Sequence, residues 1–485
     1  MTRRARNAAV VGSGPNGLAA AVTLARAGIP VTVFEAADTI GGGTRTAESV
    51  MPGVVHDTCS AIHPMAFASE FFREFRLADK VEFVVPDAPY AHPLDGRDAA
   101  VAYRDLDRTV AELGRDGPAY GRLLGPLVSR ADGVFDFALG GSMVRVPRDL
   151  GASLLTGLAA LTQGSPLWNV GFRDDAAPAL LSGVAAHSIA RMPALGTAAI
   201  GLVLAVAGHV GGWPVPVGGS AAISRALADD LRAHGGQIVT GRRIRDIAEL
   251  GDFGVRIFDT SARALAEIAH AELPGSYLRR LGRFRFGNAA AKVDLVLDGP
   301  IPWADARVAQ APTVHLGGTR SEVAAAEAMV ARGRHPEHPY VLLAQPDEFD
   351  VGRNPAGLNA VWSYTHVPRG STIDVTERVL AQLERFAPGV RERVVGVRCT
   401  TAAELGAYNE NYVGGDISSG AVALRQLLAR PVLSPEPWRT PGEGIYLASS
   451  AASPGPGVHG LGGFHAARSA LRHSFGVDPR EVSLS

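Results

Sequence analysis

Residues 8–35 read AAVVGSGPNGLAAAVTLARAGIPVTVFE, and the reading of this stretch decides the fold. Ala8, Ala9, Val10 and Val11 form a short apolar run, which predicts a buried parallel strand. Gly12-Ser13-Gly14-Pro15-Asn16-Gly17 is a G-x-G-x-x-G turn. Small apolar residues at helical spacing fill positions 18–27, and Gly28 closes that helix. Residues 29–34 predict a second strand, with Glu35 at its end. Each part has a physical role. Gly12 permits the tight turn, Gly14 lets backbone approach a pyrophosphate, and Gly17 lets helix and strand pack closely. The helix N-terminus, with Pro15 and Asn16 in its first turn, offers free N–H groups to phosphate. Glu35 is placed to accept hydrogen bonds from an adenosine ribose. A lone glycine turn is common. Strand, turn, helix, strand and acid in this order specify a dinucleotide.

Working outward, Thr39-Ile40-Gly41-Gly42-Gly43-Thr44-Arg45-Thr46 follows the acid almost at once. It resembles the second glycine motif of two-dinucleotide-fold flavoproteins. At the other end of the chain, residues 444–450 predict a strand. Residues 454–463 form a loop rich in Gly and Pro, and 464–472 a helix. This is a second place where backbone N–H groups can face a polar or partly anionic group. Between these ends, residues 108–128 and much of 150–181 predict helices. Ser220 suits the N-cap of an amphipathic helix running to His234. Strand and helix alternation returns at 237–261, which takes the chain back to the nucleotide-binding unit. Residues 284–297 alternate like antiparallel strands, and Thr319 with Glu322 has capping-box spacing.

The 485 residues leave room for two or three domains, and 46% hydrophobic with 20% charged content suits a globular protein. A net charge of −1, with no basic stripe, gives no reason to expect a nucleic-acid partner. Two distant cysteines, Cys59 and Cys399, imply no disulfide framework and fit a reducing, cytoplasmic setting. The basic start at residues 1–6 runs into the first strand without space for a signal peptide. Residues 194–210 are almost wholly apolar and approach the minimum length of a membrane span. Gly196, Gly201 and Gly208 in this run, and the Gly-Trp-Pro turn after it, favour a core or pocket helix. Peripheral contact with a bilayer stays open. No His, Cys or carboxylate cluster has metal-ligand spacing, and no G-x-S-x-G elbow occurs.

The chain resembles the phytoene desaturase-like flavoproteins, the carotenoid desaturases and isomerases. Within them it is similar to the branch named for pyridine nucleotide-disulfide oxidoreductase domain-containing protein 2. The residues that carry the resemblance, beyond the opening motif, are Ser60-Ala61-Ile62-His63-Pro64, residues 211–220, Lys292-Val293-Asp294, residues 364–368, residues 411–416 and residues 454–460. The resemblance implies an α/β fold: a Rossmann-like, three-layer FAD domain of the two-dinucleotide-binding type with an inserted α+β substrate domain. The FAD domain would be discontinuous, at 1–75, 215–285 and 430–485. The substrate domain would comprise 76–214 and 286–429. Carried over by position, Gly12, Gly14, Gly17 and Glu35 would bind the ADP half of FAD. Gly42, Thr44 and Arg45 would hold the pyrophosphate and the flavin side. Ile244 would touch the adenine through its backbone, and Gly457 and Val458 would sit by the flavin pyrimidine ring.

Two departures stand out. Ser453 occupies a place where relatives carry His, and Ser449 and Ser450 stand where many flavoproteins have an acid. The absence of C-x-x-C argues against disulfide chemistry. The resemblance implies a FAD-dependent dehydrogenase, desaturase or oxidase that takes hydride from an apolar, isoprenoid or lipid-like small molecule. With one dinucleotide fingerprint visible, electrons would pass to oxygen, a quinone or another acceptor. A flavin-dependent isomerase and a low-turnover flavin-bearing regulatory protein are the alternatives. His63, His366 and His459 are the candidate polar groups at the flavin, each with a structural role as the alternative. The substrate and the oligomeric state are not specified by the sequence.

Overall fold

The computed structural model describes residues 5–142 and 144–485; the basic stretch at residues 1–4 lies outside them. The Ala8–Val11 strand is the centre of a five-stranded parallel sheet. Across the sheet the order is Ile445–Leu447, Val255–Phe258, Ala8–Val11, Val31–Phe34 and Gln237–Val239. The registers Val11↔Phe34, Val11↔Phe258 and Phe258↔Leu447 bring the carboxyl ends of four strands level. Gly12, Glu35, Asp259 and Ala448 therefore start their loops side by side, where open parallel sheets bind their ligands.

The glycine turn leads into the Pro15–Arg26 helix, which is buried from Asn16 to Ala25. It packs against the Leu461–Ala470 and Ala221–Ala233 helices. Gly12 has φ of +101°, a conformation costly for any side chain with a Cβ. A Cβ on Gly17 would sit 2.2 Å from the Gly12 carbonyl oxygen, so helix and turn can only approach this closely through glycine. Leu18, Val22 and Leu24 are wholly buried on this helix; each contributes roughly 1.5–3 kcal/mol by leaving water.

The second sheet has seven strands in the order Val394–Thr400, Ala289–Leu297, Asn359–Val367, Val341–Ala344, Thr313–Leu316, Tyr90–His92 and Ala100–Ala102. Its pairs are antiparallel except for Thr313–Leu316 with Tyr90–His92. Ala289–Leu297 is buried at all nine positions. Its alternation is thus not core against solvent. Lys292 and Asp294, two residues apart on one face, form a buried ion pair at 3.0 Å. Helices at Leu106–Glu112, Gly117–Val128, Ala131–Leu139, Leu150–Gln163, Ala176–Ala186 and Leu195–Val210 cover the remaining side. This is the α/β fold expected from the sequence, a Rossmann-like sheet with a second unit inserted into it.

The apolar run at 194–210 forms the Leu195–Val210 helix, which packs among the helices at Gly117–Val128, Ala131–Leu139, Leu150–Gln163 and Ala176–Ala186. Among the described residues, no helix is long and apolar enough to cross a membrane. The capping box at Thr319 and Glu322 forms as expected. Ser220 precedes the Ala221–Ala233 helix, but its hydroxyl makes no cap bond. It donates to the Ser60 carbonyl at 2.5 Å and meets His63 Nε2 at 2.7 Å.

Candidate active site

A cavity of about 750 Å³ opens at the level carboxyl ends of the parallel strands. Its first part is lined by Gly12, Gly14, Pro15, Asn16, Glu35, Gly42, Arg45 and Ile244. Gly457 and Val458 line it further in. Ten of the sequence-derived cofactor residues are thus brought to one cavity, although they lie hundreds of positions apart. Gly17 and Thr44 stand just behind the wall. Gly17 N–H donates to Asp259 Oδ2 at 2.9 Å. Thr44 Oγ1 donates to the Gly41 carbonyl at 2.8 Å and lies 2.5 Å from Ser224 Oγ, which ties the second glycine turn to the Ala221–Ala233 helix.

Glu35 is buried and already well held. Its Oε2 accepts from the Ser13 backbone N–H at 2.9 Å and the Ser13 hydroxyl at 2.5 Å, and its Oε1 accepts from Ala37 N–H at 2.9 Å. Arg45 Nη2 donates to the Thr39 carbonyl at 2.8 Å and reaches Glu35 Oε1 at 3.3 Å. Arg45 Nη1 reaches the Tyr408 hydroxyl at 3.2 Å. The cation thus spans the gap between the two glycine turns. Asn16 lines the cavity, and its Oδ1 is buried without a partner. A left-handed glycine turn at a helix start, a fixed acid, a bridging arginine and an orphaned amide oxygen fit a dinucleotide lying along this wall.

Asp259 is a residue that sequence reasoning missed. It follows the Val255–Phe258 strand and enters the glycine turn, where the Gly17 N–H donates to it. Burial, with the charge of Glu35 adding to it, pushes its pKa up to about 6. No local motif marks it; only the parallel register of Val11 with Phe258 places it there.

Of the candidate histidines, His63 lines the cavity, whereas His366 and His459 stand off the wall. The His63 ring is wholly enclosed, and burial pushes its pKa down to about 4. Because the Ser220 hydroxyl gives its proton to Ser60, it accepts from Nε2–H; Nδ1 is left as a buried acceptor without a partner. His366 Nδ1 meets Glu327 Oε1 at 2.6 Å in a fully buried pair. His459 Nε2 faces the Gly455 carbonyl at 3.2 Å and its Nδ1 accepts from Leu461 N–H, so the ring braces the tail loop.

Past Val458 the cavity continues into a chamber whose walls include Phe137, Leu139, Ile200, Val203, Leu204 and Leu342. Its polar lining includes Thr156, His187, Ser188, Thr313, Trp362 and Tyr364. His187, unremarked in the sequence, is fixed by His315: their Nε2 atoms are 2.9 Å apart, so one ring donates and the other accepts. Burial pushes the His187 pKa down to about 3 and that of His315 well below its ordinary value, so both are neutral near pH 7. The carboxylates on the cavity wall, Glu35, Asp259 and Glu410, all belong to the nucleotide end. Behind Cys59 and Ser60, Lys292 donates to the Asp57 and Thr58 carbonyls at 2.8 and 2.9 Å and so holds the Cys59 loop against the chamber.

The family model of the flavin containing amine oxidoreductases matches residues 16–270, more than half of the chain, and the chain belongs to that family. FAD is the cofactor for which the cavity is built. Among characterised sequences, it is 26% identical to pyridine nucleotide-disulfide oxidoreductase domain-containing protein 2 of Rattus norvegicus, over 96% of this chain and 93% of the relative. Among solved structures, it shares its fold with an engineered putrescine oxidase at 17% identity and a TM-score of 0.61, over 97% of this chain and 99% of the other. The fold also matches cyclohexylamine oxidase from Brevibacterium oxydans at 17% identity and a TM-score of 0.57, over 96% of this chain and 98% of the other.

Proposed function

We propose that the protein is a FAD-dependent oxidoreductase of the phytoene desaturase-like type, oxidising an apolar, isoprenoid or lipid-like small molecule in the chamber beyond Val458. The observation that carries this reading is the make-up of that chamber. A cationic amine substrate would call for a carboxylate or a cage of electron-rich rings to replace its water. The acids on the wall stand at the nucleotide end; of the chamber's rings, Trp362 is already faced by Lys292 Nζ at 5.5 Å and meets Tyr364 edge to face, and the rest of the lining is chiefly aliphatic side chains with neutral His187, Thr156 and Thr313. Such a lining holds a hydrocarbon by excluding water and orients it with few polar contacts.

When bound, FAD would supply the hydride acceptor; the proton lost from the neighbouring carbon as the double bond forms would pass to water or to a neutral acceptor on the wall such as His63 Nδ1. The chain's own residues bind, orient and exclude water. Gly12, Gly14 and Asn16 would meet the phosphates, Glu35 the ribose, and Ile244 the adenine. Gly42 and Arg45 would close the opposite side, with Thr44 bracing their turn from behind through Gly41 and Ser224, and Gly457 and Val458 would support the ring system. His63 Nδ1 is an acceptor on the same wall, and the His187–His315 pair can hold a lone polar end of the substrate. Reoxidation would fall to oxygen, a quinone or another acceptor, in a reducing compartment such as the cytoplasm. The FAD-binding segments would be 1–75, 215–285 and 430–485, and the substrate-binding segments 76–214 and 286–429.

Anaerobic mixing with a panel of isoprenoids, long-chain alkenes and primary amines tests the reading. Bleaching of the flavin absorbance by a member of the apolar set, with a product two hydrogens lighter, is the expected result. Bleaching by amines alone would overturn it. A product of unchanged mass that needs prior flavin reduction would replace oxidation with isomerisation.

A further inference from the structure

The Leu150–Gln163 helix is built inside out. Its buried face carries Ala152, Thr156, Ala160 and Gln163. Its outer face carries Leu150, Leu154, Leu158 and Leu161, which are 66%, 65%, 53% and 57% exposed. This i, i+4, i+8, i+11 spacing makes one stripe along about 17 Å of helix. A water-facing helix normally turns its large apolar residues to the core. A contiguous apolar stripe turned outward marks an interaction surface. Residues 150–172 contain no Asp, Glu, Lys or Arg.

The stripe does not end with the helix. A Cβ on Gly164, directly after it, would lie 2.7 Å from Leu195 Cα. A Cβ on the next residue of that second helix, Gly196, would lie 2.8 Å from Leu427 Cδ1. Leu427 belongs to the short Leu424–Leu428 helix, on which Leu424 and Leu428 are again exposed. Two leucine surfaces therefore flank the start of the Leu195–Val210 helix. That start lines the cavity through Gly196, Ala199 and Ile200. Beside it stand Arg191 and Arg425, both exposed and without an ion-pair partner among the described residues. Arg285 is drawn to the same place, because Gln426 accepts from its backbone N–H and donates to its carbonyl. The acid that precedes the stripe, Asp149, is taken up by Arg130 at 3.1 Å.

We propose that this face docks on an anionic lipid bilayer. The Leu150–Gln163 helix lies in the headgroup–acyl boundary, Leu424 and Leu428 enter beside it, and Arg191 and Arg425 meet lipid phosphates. Interfacial helices bind in this way, with apolar burial and basic attraction acting together. No helix among the described residues spans a membrane, so the protein lies on the bilayer. Gly196, Ala199 and Ile200, which line the chamber, then stand beside the docked face. The proposal does not depend on the redox reading, and its test does not involve turnover.

The test uses the full-length, FAD-loaded protein and sucrose-loaded vesicles of phosphatidylcholine, with or without phosphatidylglycerol, with gel filtration alongside. The expected result is sedimentation with the phosphatidylglycerol vesicles, weakened by salt. The Leu154→Glu/Leu158→Glu variant should bind about tenfold more weakly with an unchanged flavin spectrum and melting temperature. The Arg191→Gln/Arg425→Gln variant should lose the preference for anionic lipid. Wild-type protein that stays in the supernatant, or a leucine variant that sediments equally well, would overturn the proposal. So would a wild-type dimer that the leucine variant dissolves into monomers, because the stripe would then belong to a second copy of the chain.

Discussion

Asp259 sits in the glycine turn with nothing but backbone N–H groups and another acid, Glu35, for company. Burial raises its pKa to about 6, so in the folded protein it holds its proton at a pH where an ordinary aspartate has lost it. Its contribution to the stability of the empty protein is present below about pH 4 and is lost as pH rises through about 6. A bound pyrophosphate would feel the same titration, since ionised Asp259 would add a negative charge beside it. The affinity for FAD should therefore fall as pH rises through 6. Asp259→Asn should bind FAD more tightly at pH 8 and flatten the profile, as read by flavin fluorescence titration of the apoprotein. Parallel profiles for wild type and variant would contradict this. Glu35 and the opening glycines are legible in the sequence because their spacing is local. Asp259 and His187 are not, because each acquires its neighbours from strand register or from helix packing far along the chain.

The Ala221–Ala233 helix shows how tertiary demands displace a local signal. Ser220 stands at the N-cap position, but its hydroxyl is drawn into a buried exchange with Ser60 and His63. The same physics lets Thr319 and Thr401 cap their helices, since each has only its own Glu three residues on to satisfy. Ser220→Ala should thus act through His63 and not through helix propensity. With Nδ1 already unpartnered, the loss of Ser220 would leave the enclosed His63 ring with neither nitrogen bonded to a side chain. The expected cost is about 1–3 kcal/mol in urea unfolding. A change below about 0.5 kcal/mol, the level of a surface substitution, would show that another group or water replaces the hydroxyl. Element boundaries were less legible than element types. The sequence shows strand and helix alternating across 237–261 without marking where the first strand stops, and its pairing with Val31–Phe34 extends only over Gln237–Val239. The chain then crosses the mouth of the cavity with Arg242, Arg243 and Ile244 in its lining.

At the scale of the whole molecule, the parallel sheet supplies a ledge for a dinucleotide, and the second sheet with its helical cover supplies a chamber at the ledge's inner end. The ledge could be read from the alternation of strands and helices and from two glycine motifs at opposite ends of the chain. Of the chamber, only the apolar helix at 194–210 could, as a core or pocket helix. Its other walls come from 137–189 and from 313–364, stretches whose apolar residues look like ordinary core until the fold leaves a space between them. Both halves of the account meet in one cavity, whose lining includes Glu35 at the ledge, Val458 at the tail loop and Leu342 in the chamber. The most direct test is to purify the protein, saturate it with FAD, remove free flavin, and identify what is released on denaturation. The account predicts one FAD per chain with a flavin absorbance band, and its loss in Gly14→Asp. A colourless protein that retains no flavin after saturation would contradict it.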